Sequence, residues 1–297
     1  MVSYLRALES ESIYILREAA AQFSRPAILY SVGKDSSVLL HLAHKAFRPA
    51  PIPFPLLHID TSYKFREMIE FRDRICSERN LKLLAYTNRQ ALSEGANPFV
   101  LGTENCCAQL KTKALLDALK LHSIDAAIGG ARRDEEKSRA KERIFSFRDA
   151  FGQWDPKDQR PELWNIFNGR LDPGQSMRVF PLSNWTEIDV WEYIELEQIP
   201  VVPLYFAQER EVAVRGRLLI PLEHNPPLLL GDHVERVVCR FRTLGCTWCT
   251  GAIRSTATTV SEIVQELRSA RRSERETRII DHDIEGSMEI KKRQGYF

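Results

Sequence analysis

The chain has 297 residues, 28% of them charged and 43% hydrophobic, with a formal net charge of +2. That length can bury a substantial core, and the balance gives no general electrostatic pull toward nucleic acid or membrane. Six cysteines without an export signal speak against a disulfide framework, and no stretch approaches the roughly 18 apolar residues of a membrane span, so a cytoplasmic protein is expected.

The N-terminal stretch carries Glu9 and Glu11, then Ile13, Ile15, Leu16 and Ala19. It reads as an acidic amphipathic helix, with neither the basic start nor the continuous apolar core of a signal peptide. Residues 27–31, 56–60, 81–86 and 126–129 read as buried strands, and Lys34–Phe47, 64–79 and 108–121 carry helical periodicity between them. Such alternation predicts an α/β fold: a parallel sheet with helices on both faces and a ligand crevice at the carboxyl ends of the strands.

Residues 145–174, with Trp154, Pro156, Pro161, Trp164 and Pro173, read as a long irregular loop over that crevice. Residues 179–182 read as a last core strand, and Thr186 is expected to cap a helix with Asp189 as its capping-box partner. Past Pro203 the pattern loosens. The expected division is a nucleotide-binding domain over 1–204 and a smaller C-terminal segment over 205–297. That segment would hold strand-like runs at 228–230 and 237–241, a helix near 261–270 and a basic tail. Within the tail, Arg268, Arg271, Arg272, Arg275 and Arg278 interleave with Glu266, Glu274 and Glu276, as a solvated helix face would.

The most informative stretch is Tyr30, Ser31, Val32, Gly33, Lys34, Asp35, Ser36 and Ser37, lying between the first strand and the first internal helix. Free N–H groups of a first helical turn, favoured by the helix dipole, make a phosphate cradle. Gly33 is expected to let the backbone approach the phosphate, and Lys34 to add a point charge. The spacing is not that of a Walker A loop. Two further strand ends carry polar groups, His58, Asp60 and Thr61 on one and Gly129, Gly130, Arg132, Arg133 and Asp134 on the other. All three loops are expected to converge.

These motifs resemble the S-x-G-K-D-S loop of ATP pyrophosphatases. Together with the runs 53–61, 64–68, 129–143, 154–164, 179–185 and 286–297, they resemble the small, catalytic subunit of bacterial sulfate adenylyltransferase. That subunit is a branch of the ATP-pyrophosphatase and PAPS-reductase superfamily. The resemblance implies an adenine-nucleotide α-hydrolase-like fold in which an oxyanion attacks the α-phosphorus of ATP and releases pyrophosphate with Mg2+ assistance. It implies that Ser31, Gly33, Lys34, Ser36 and Ser37 hold pyrophosphate oxygens and that Asp35 organises metal or phosphate. Asp60 would then lie by the ribose or adenine, Gly129 and Gly130 would line the nucleotide site, and Arg132 and Arg133 would stabilise charge. For Lys137, Arg139, Lys141 and Arg143 a solvated, ion-paired surface stays an equal alternative.

The cysteines depart from that subunit's pattern. Cys106 and Cys107, followed far downstream by Cys246 and Cys249, resemble the C-C and C-x-x-C iron–sulfur motif of bacterial APS reductases. Four thiolates at one point suit a 4Fe–4S cluster or zinc. Cys76 and Cys239 are expected to be inert buried thiols. The tail from Lys291 to Phe297 lacks the nucleophilic cysteine of a reductase.

The combination resembles the ATP-pyrophosphatase component of DNA phosphorothioation systems. On that reading the acceptor is a DNA phosphate, and the partners are a cysteine desulfurase and other modification-system subunits. The alternative is sulfate adenylyltransferase activity with a GTPase large subunit. A third reading is a nucleotide-binding regulatory subunit without turnover.

Overall fold

Three short apolar runs, β1 (Pro26–Leu29), β2 (Leu56–Ile59) and β4 (Ala126–Ile128), form the middle of a six-stranded sheet. Their near-continuous apolar character suits strands covered on both faces. The computed structural model describes residues 2–269; the basic tail and the matched run 286–297 lie outside the described residues.

β3 (Leu83–Tyr86), β5 (Phe145–Arg148) and β6 (Ser176–Val179) complete the sheet in the order β3-β2-β1-β4-β6-β5. Every pairing is parallel except β5 on β6. The chain leaves β1 toward β2 and later returns to β1's other side as β4. Ligand crevices form at such a reversal, outside the carboxyl ends of the strands.

The larger core joins one face of the sheet to α1 (Val2–Gln22), α2 (Lys34–Phe47), α3 (Arg66–Glu78) and α8 (Glu187–Glu197). On the other face Ala27, Leu57 and Ala127 meet Leu115, Ala118 and Leu119 of α6 (Ala114–Leu121). This is the expected α/β fold, a mainly parallel sheet with helices on both faces. Between β3 and α6 lie α4 (Arg89–Ser93), α5 (Pro98–Cys107) and a π-helical turn, Ala108–Lys113. The expected helix over 108–121 is therefore two pieces. α7 (Lys137–Ala140) follows β4. Thr186 caps α8 with Asp189 as its reciprocal partner, as expected: Asp189 N donates to Thr186 Oγ1 at 3.3 Å and Thr186 N to Asp189 Oδ2 at 2.8 Å.

Two expectations need correction. Residues 145–174 do not begin irregular, because β5 adds an antiparallel edge to the sheet through the register Phe145↔Val179 to Arg148↔Ser176. The C-terminal segment is more regular than its loosened pattern implied. Strands β7 (Gln208–Arg215), β8 (Leu218–Pro221), β9 (His233–Phe241) and β10 (Ala252–Arg254) close an antiparallel barrel in the order β10-β8-β7-β9. Leu228, Leu229 and Leu230 form an exposed connection rather than a strand. A last helix, α9 (Val260–Ser269), ties the barrel to α8 through Arg268 and Glu192, 2.7 Å apart. Among the described residues no helix is long and apolar enough to cross a membrane.

Candidate active site

The turn from β1 into α2 is tighter than its glycine alone explains. The residue with positive φ is Val32 at +68°, while Gly33 sits at φ −71° as the N-cap. A buried β-branched residue in that region costs of order 1–3 kcal/mol and persists where its surroundings enforce it. The unusual backbone of this turn is thus supplied by Val32 and not by Gly33. A Cβ on Gly33 would come no closer than 3.4 Å to Ser31 Oγ and 3.5 Å to Tyr205 Oη.

The turn is braced from within. Ser36 Oγ donates to Gly33 O at 2.9 Å, Ser31 Oγ reaches Ser36 Oγ at 3.3 Å, and Ser37 N donates to Gly33 O at 2.9 Å. Ser36, Ser37 and Lys34 are buried. The first amide of α2, Lys34 N, donates to Tyr205 Oη at 2.7 Å. Tyr205, on the turn after Pro203, was not singled out in the sequence, since no periodic pattern marks that stretch.

Asp35 is the electrostatic hub. Its Oδ1 accepts from Arg132 Nε at 2.7 Å and its Oδ2 lies 3.2 Å from Lys34 Nζ. Burial alone would push this carboxyl up, but Lys34 and Arg132 outweigh it and hold Asp35 below the ordinary carboxylate range. Arg132 comes from the loop after β4, and Gly130 of that loop fits directly on the Asp35 backbone. A Cβ at position 130 would fall 3.0 Å from the Asp35 carbonyl carbon and 3.2 Å from its oxygen. Gly130 is therefore what lets the two loops touch. Gly129 N continues the sheet by donating to Val179 O at 2.8 Å.

Arg133 does not join Arg132. Its backbone N donates to Ser183 O at 3.0 Å and its guanidinium to Asn184 Oδ1, because consecutive residues of this turn point to different neighbours. Asp60 closes the third loop: its N donates to Tyr86 O and its Oδ1 accepts from Ser62 N, both at 2.8 Å. His58 is buried beside that loop with its Nδ1 2.8 Å from Tyr30 O. Burial lowers its pKa to about 4, so the ring is neutral and Nδ1 donates to that carbonyl. A lone histidine inside the run Leu56, Leu57, His58, Ile59 was the legible sign of it.

The cysteines gather where the barrel meets the second loop. Lys64 and Cys246 form a backbone bridge, Thr247 N donates to Tyr63 O at 2.9 Å, and Thr61 Oγ1 lies 3.1 Å from Cys246 Sγ. Cys107, Cys246 and Cys249 pack together with Tyr63 at their side. Hydrogen bonding with Cys249, aided by Lys111, holds Cys107 and Cys246 below the ordinary thiol range, and the same bonds hold Cys249 above it. Cys106 packs with Ala91, Ala96 and Leu110, where burial, helped by the nearby Cys107 and Cys246, pushes its thiol up to about 12. Among the described residues no group of three or more His, Cys, Asp or Glu side chains is spaced as metal ligands. Cys76 and Cys239 are buried in the main core, and burial raises both thiols.

Arg139, for which a solvated surface was an equal alternative, is buried, with its Nη1 3.6 Å from Glu142 Oε2.

Comparison with known proteins adds the following. A model of the phosphoadenosine phosphosulfate reductase domain matches residues 25–252. The chain is 61% identical over 296 residues to a Myxococcus xanthus protein named sulfate adenylyltransferase subunit 2, a match covering 99% of this chain and 97% of that protein. An Akkermansia muciniphila protein of the same name is 59% identical over 297 residues, covering 100% of this chain and 98% of its own length. Among solved structures, phosphoadenylyl-sulfate reductase from Candida auris aligns with a TM-score of 0.48 and 16% identity, covering 69% of this chain and 90% of that one.

Proposed function

The chain belongs to the phosphoadenosine phosphosulfate reductase domain family, and on that premise we propose that it transfers the adenylyl group of ATP to sulfate. A sulfate oxygen attacks the α-phosphorus, the bond from that phosphorus to the bridging oxygen breaks, and its electron pair leaves with pyrophosphate. The observation that carries this reading is the Lys34, Asp35 and Arg132 cluster, assembled at the N-terminus of α2 where two loops meet. The names of the relatives favour sulfate as the acceptor over a DNA phosphate.

In this reading Lys34, the serines at 31, 36 and 37, and the first-turn amides of α2 that follow Lys34 N, which Tyr205 holds, bind the pyrophosphate portion. Arg132 orients Asp35 and spreads positive charge toward the phosphates. Asp60 and the backbone at 129–130 hold the nucleoside side. Arg133, engaged with Asn184, acts by positioning its loop. Mg2+, when bound, neutralises phosphate charge. Asp35, kept ionised, is the carboxylate that fits it, since this ion usually takes one or two carboxylates along with phosphate oxygens.

The division into 1–204 and 205–297 is part of the proposal, as is a GTPase partner subunit; the word "subunit" in the relatives' names supports a second chain. Pyrophosphate release from ATP and sulfate, measured with a GTPase partner present, should fall roughly 100- to 1,000-fold in Lys34→Ala. Full turnover in that variant would refute the assignment.

A second reading is supported by the gathering of Cys107, Cys246 and Cys249. It is sulfur insertion in DNA phosphorothioation, with a cysteine desulfurase as partner and a 4Fe–4S cluster at the thiols. The residues present fit it in part. Three sulfurs are together, but the fourth thiol, Cys106, packs in a neighbouring apolar cluster with Ala91, Ala96 and Leu110. Iron and sulfide analysis of anaerobically prepared protein separates the readings, together with sulfate adenylation by a Cys107→Ser, Cys249→Ser variant. Iron-free protein and unchanged adenylation leave sulfate activation alone; stoichiometric iron favours the cluster.

A further inference from the structure

Behind the crevice, on the face of the sheet that carries α6, sits an arginine with nothing to hold. Met177 and Val179 of β6 enter the main core, as do Phe145 and Phe147 of β5. Strand alternation therefore sends Arg178, Ser146 and Arg148 to the opposite face. In register, Arg178 has Ala127 of β4 on one side and Ser146 of β5 on the other. Arg178 and Arg148 are both 0% exposed.

Their partners differ sharply. Arg148 donates from Nη2 to Glu142 Oε1 at 2.5 Å and from Nη1 to Ser146 Oγ at 2.8 Å. Ser146 Oγ in turn donates to the same Glu142 oxygen at 3.2 Å. Glu142 also faces Arg139, which has Glu135 4.0 Å away on its other side. Among the described residues, all three nitrogens of Arg178 are buried without a hydrogen-bond partner, and so is Arg148 Nε. Burial and the neighbouring Arg148, opposed by Glu142, push Arg178 down only to about 9, so it remains charged at neutral pH.

An unpaired buried charge costs several kcal/mol. A water molecule would supply acceptors but no charge, and Glu142, bonded through one oxygen to Arg148 and Ser146, acts on Arg178 electrostatically without a hydrogen bond to it. Guanidinium presents a planar fork that matches two oxygens of one anion better than it matches a halide. We infer that Arg178, with Arg148 Nε, forms a buried binding site for a small inorganic oxyanion of the sulfate or phosphate type. It lies between β5, β6 and the segment carrying Arg139 and Glu142. Glu135 links it to the crevice, since that carboxylate acts electrostatically on Asp35 and also lies beside Arg139. The site does not depend on the adenylation reading.

The test uses the full-length protein without nucleotide. Titration calorimetry with sulfate and with phosphate, at ionic strength matched with chloride, should show a site that weakens roughly 10- to 100-fold in Arg178→Met. Arg178→Lys, which keeps the charge but loses the fork, should fall between. Sulfate binding tighter than phosphate names the acceptor anion as occupant, and the reverse names phosphate; both support the site. Ion chromatography of the denatured protein detects an anion held too tightly to exchange. If Arg178→Met does not fold, selenate diffused into crystals of the unaltered protein should give an anomalous peak within hydrogen-bonding distance of the Arg178 guanidinium. Binding unchanged in Arg178→Met, peaks only at the 31–37 loop, or no bound anion by either route would overturn the inference.

Discussion

The crevice at Asp35 and the covered sheet face at Arg178 both bury charge, and they settle it differently. At Asp35 each carboxylate oxygen faces a cation, Arg132 on one side and Lys34 on the other. At Arg178 the guanidinium has no hydrogen-bond partner among the described residues, and Glu142 acts on it only from a distance. A third buried group, His58, takes another course: burial and the nearby Lys64 outweigh Asp60, and it gives up its proton, its pKa falling to about 4. Arginine cannot follow, because even a shift to about 9 leaves it charged. The comparison teaches that burial alone does not mark a binding site. What marks one is burial of a charge that neither a neighbour nor titration relieves.

The largest test removes a compensating partner. Arg132→Met leaves Asp35 facing Lys34 alone, and breaking one side of a buried pair costs ~3–5 kcal/mol. Urea unfolding at neutral pH should register that loss; unchanged stability would mean that Lys34 alone compensates Asp35.

Next comes His58. In the unfolded chain it protonates near 6.5, while in the folded protein it resists down to about 4. Between those values the unfolded state binds more protons, so stability falls as pH drops through the window. At about 1.4 kcal/mol for each pH unit, the loss approaches ~3 kcal/mol by its lower end. His58→Leu should flatten that part of the pH–stability curve, and an equally steep curve in the variant would assign the slope to other groups.

Arg178→Met should act in the opposite sense to Arg132→Met. Replacing an uncompensated buried charge with a well-fitting apolar side chain commonly stabilises by ~1–4 kcal/mol. In buffer free of sulfate and phosphate the variant should outlast the parent in urea, and added sulfate should narrow the gap by stabilising only the parent. A variant less stable under both conditions would place Arg178 with the compensated charges.

The smallest effect concerns how the crevice is closed. Gly130→Ala drives a Cβ to 3.0 Å from the Asp35 backbone, and overfilling of that kind typically costs ~1–3 kcal/mol. Gly33→Ala meets only side-chain atoms, at 3.4 Å and beyond. Nucleotide binding should therefore weaken clearly more in the first variant than in the second; equal weakening would remove Gly130 from its role.

Much of this was legible in the sequence. Strands β1, β2 and β4 announce themselves because both faces are apolar, and the capping residues Thr186 and Asp189 lie at the spacing their bonds require. β5 was hidden because Phe145, Ser146, Phe147 and Arg148 alternate as a half-exposed strand would, whereas here both faces are covered. The same alternation concealed Arg178. No local pattern reports that a polar face has been roofed over. The convergence of the 31–37 loop with Arg132 followed from topology, but the divergence of Arg133 toward Asn184 depends on which way a single turn faces. Tyr205 was out of reach, since its bond to Lys34 joins positions 171 residues apart.

The docking of the barrel on the second loop bears on the order of assembly. Thr247 meets Tyr63 across 184 residues of chain, whereas β7 and β8 are sequence neighbours joined by a short hairpin. Closing so long a loop costs chain entropy before any contact repays it, and such distant pairings form late. On loop-closure entropy alone, the contact of Cys246 and Cys249 with Cys107 is expected to form after the local hairpins. Thiols that meet only through so distant a contact lack each other's protection from oxidants until it forms.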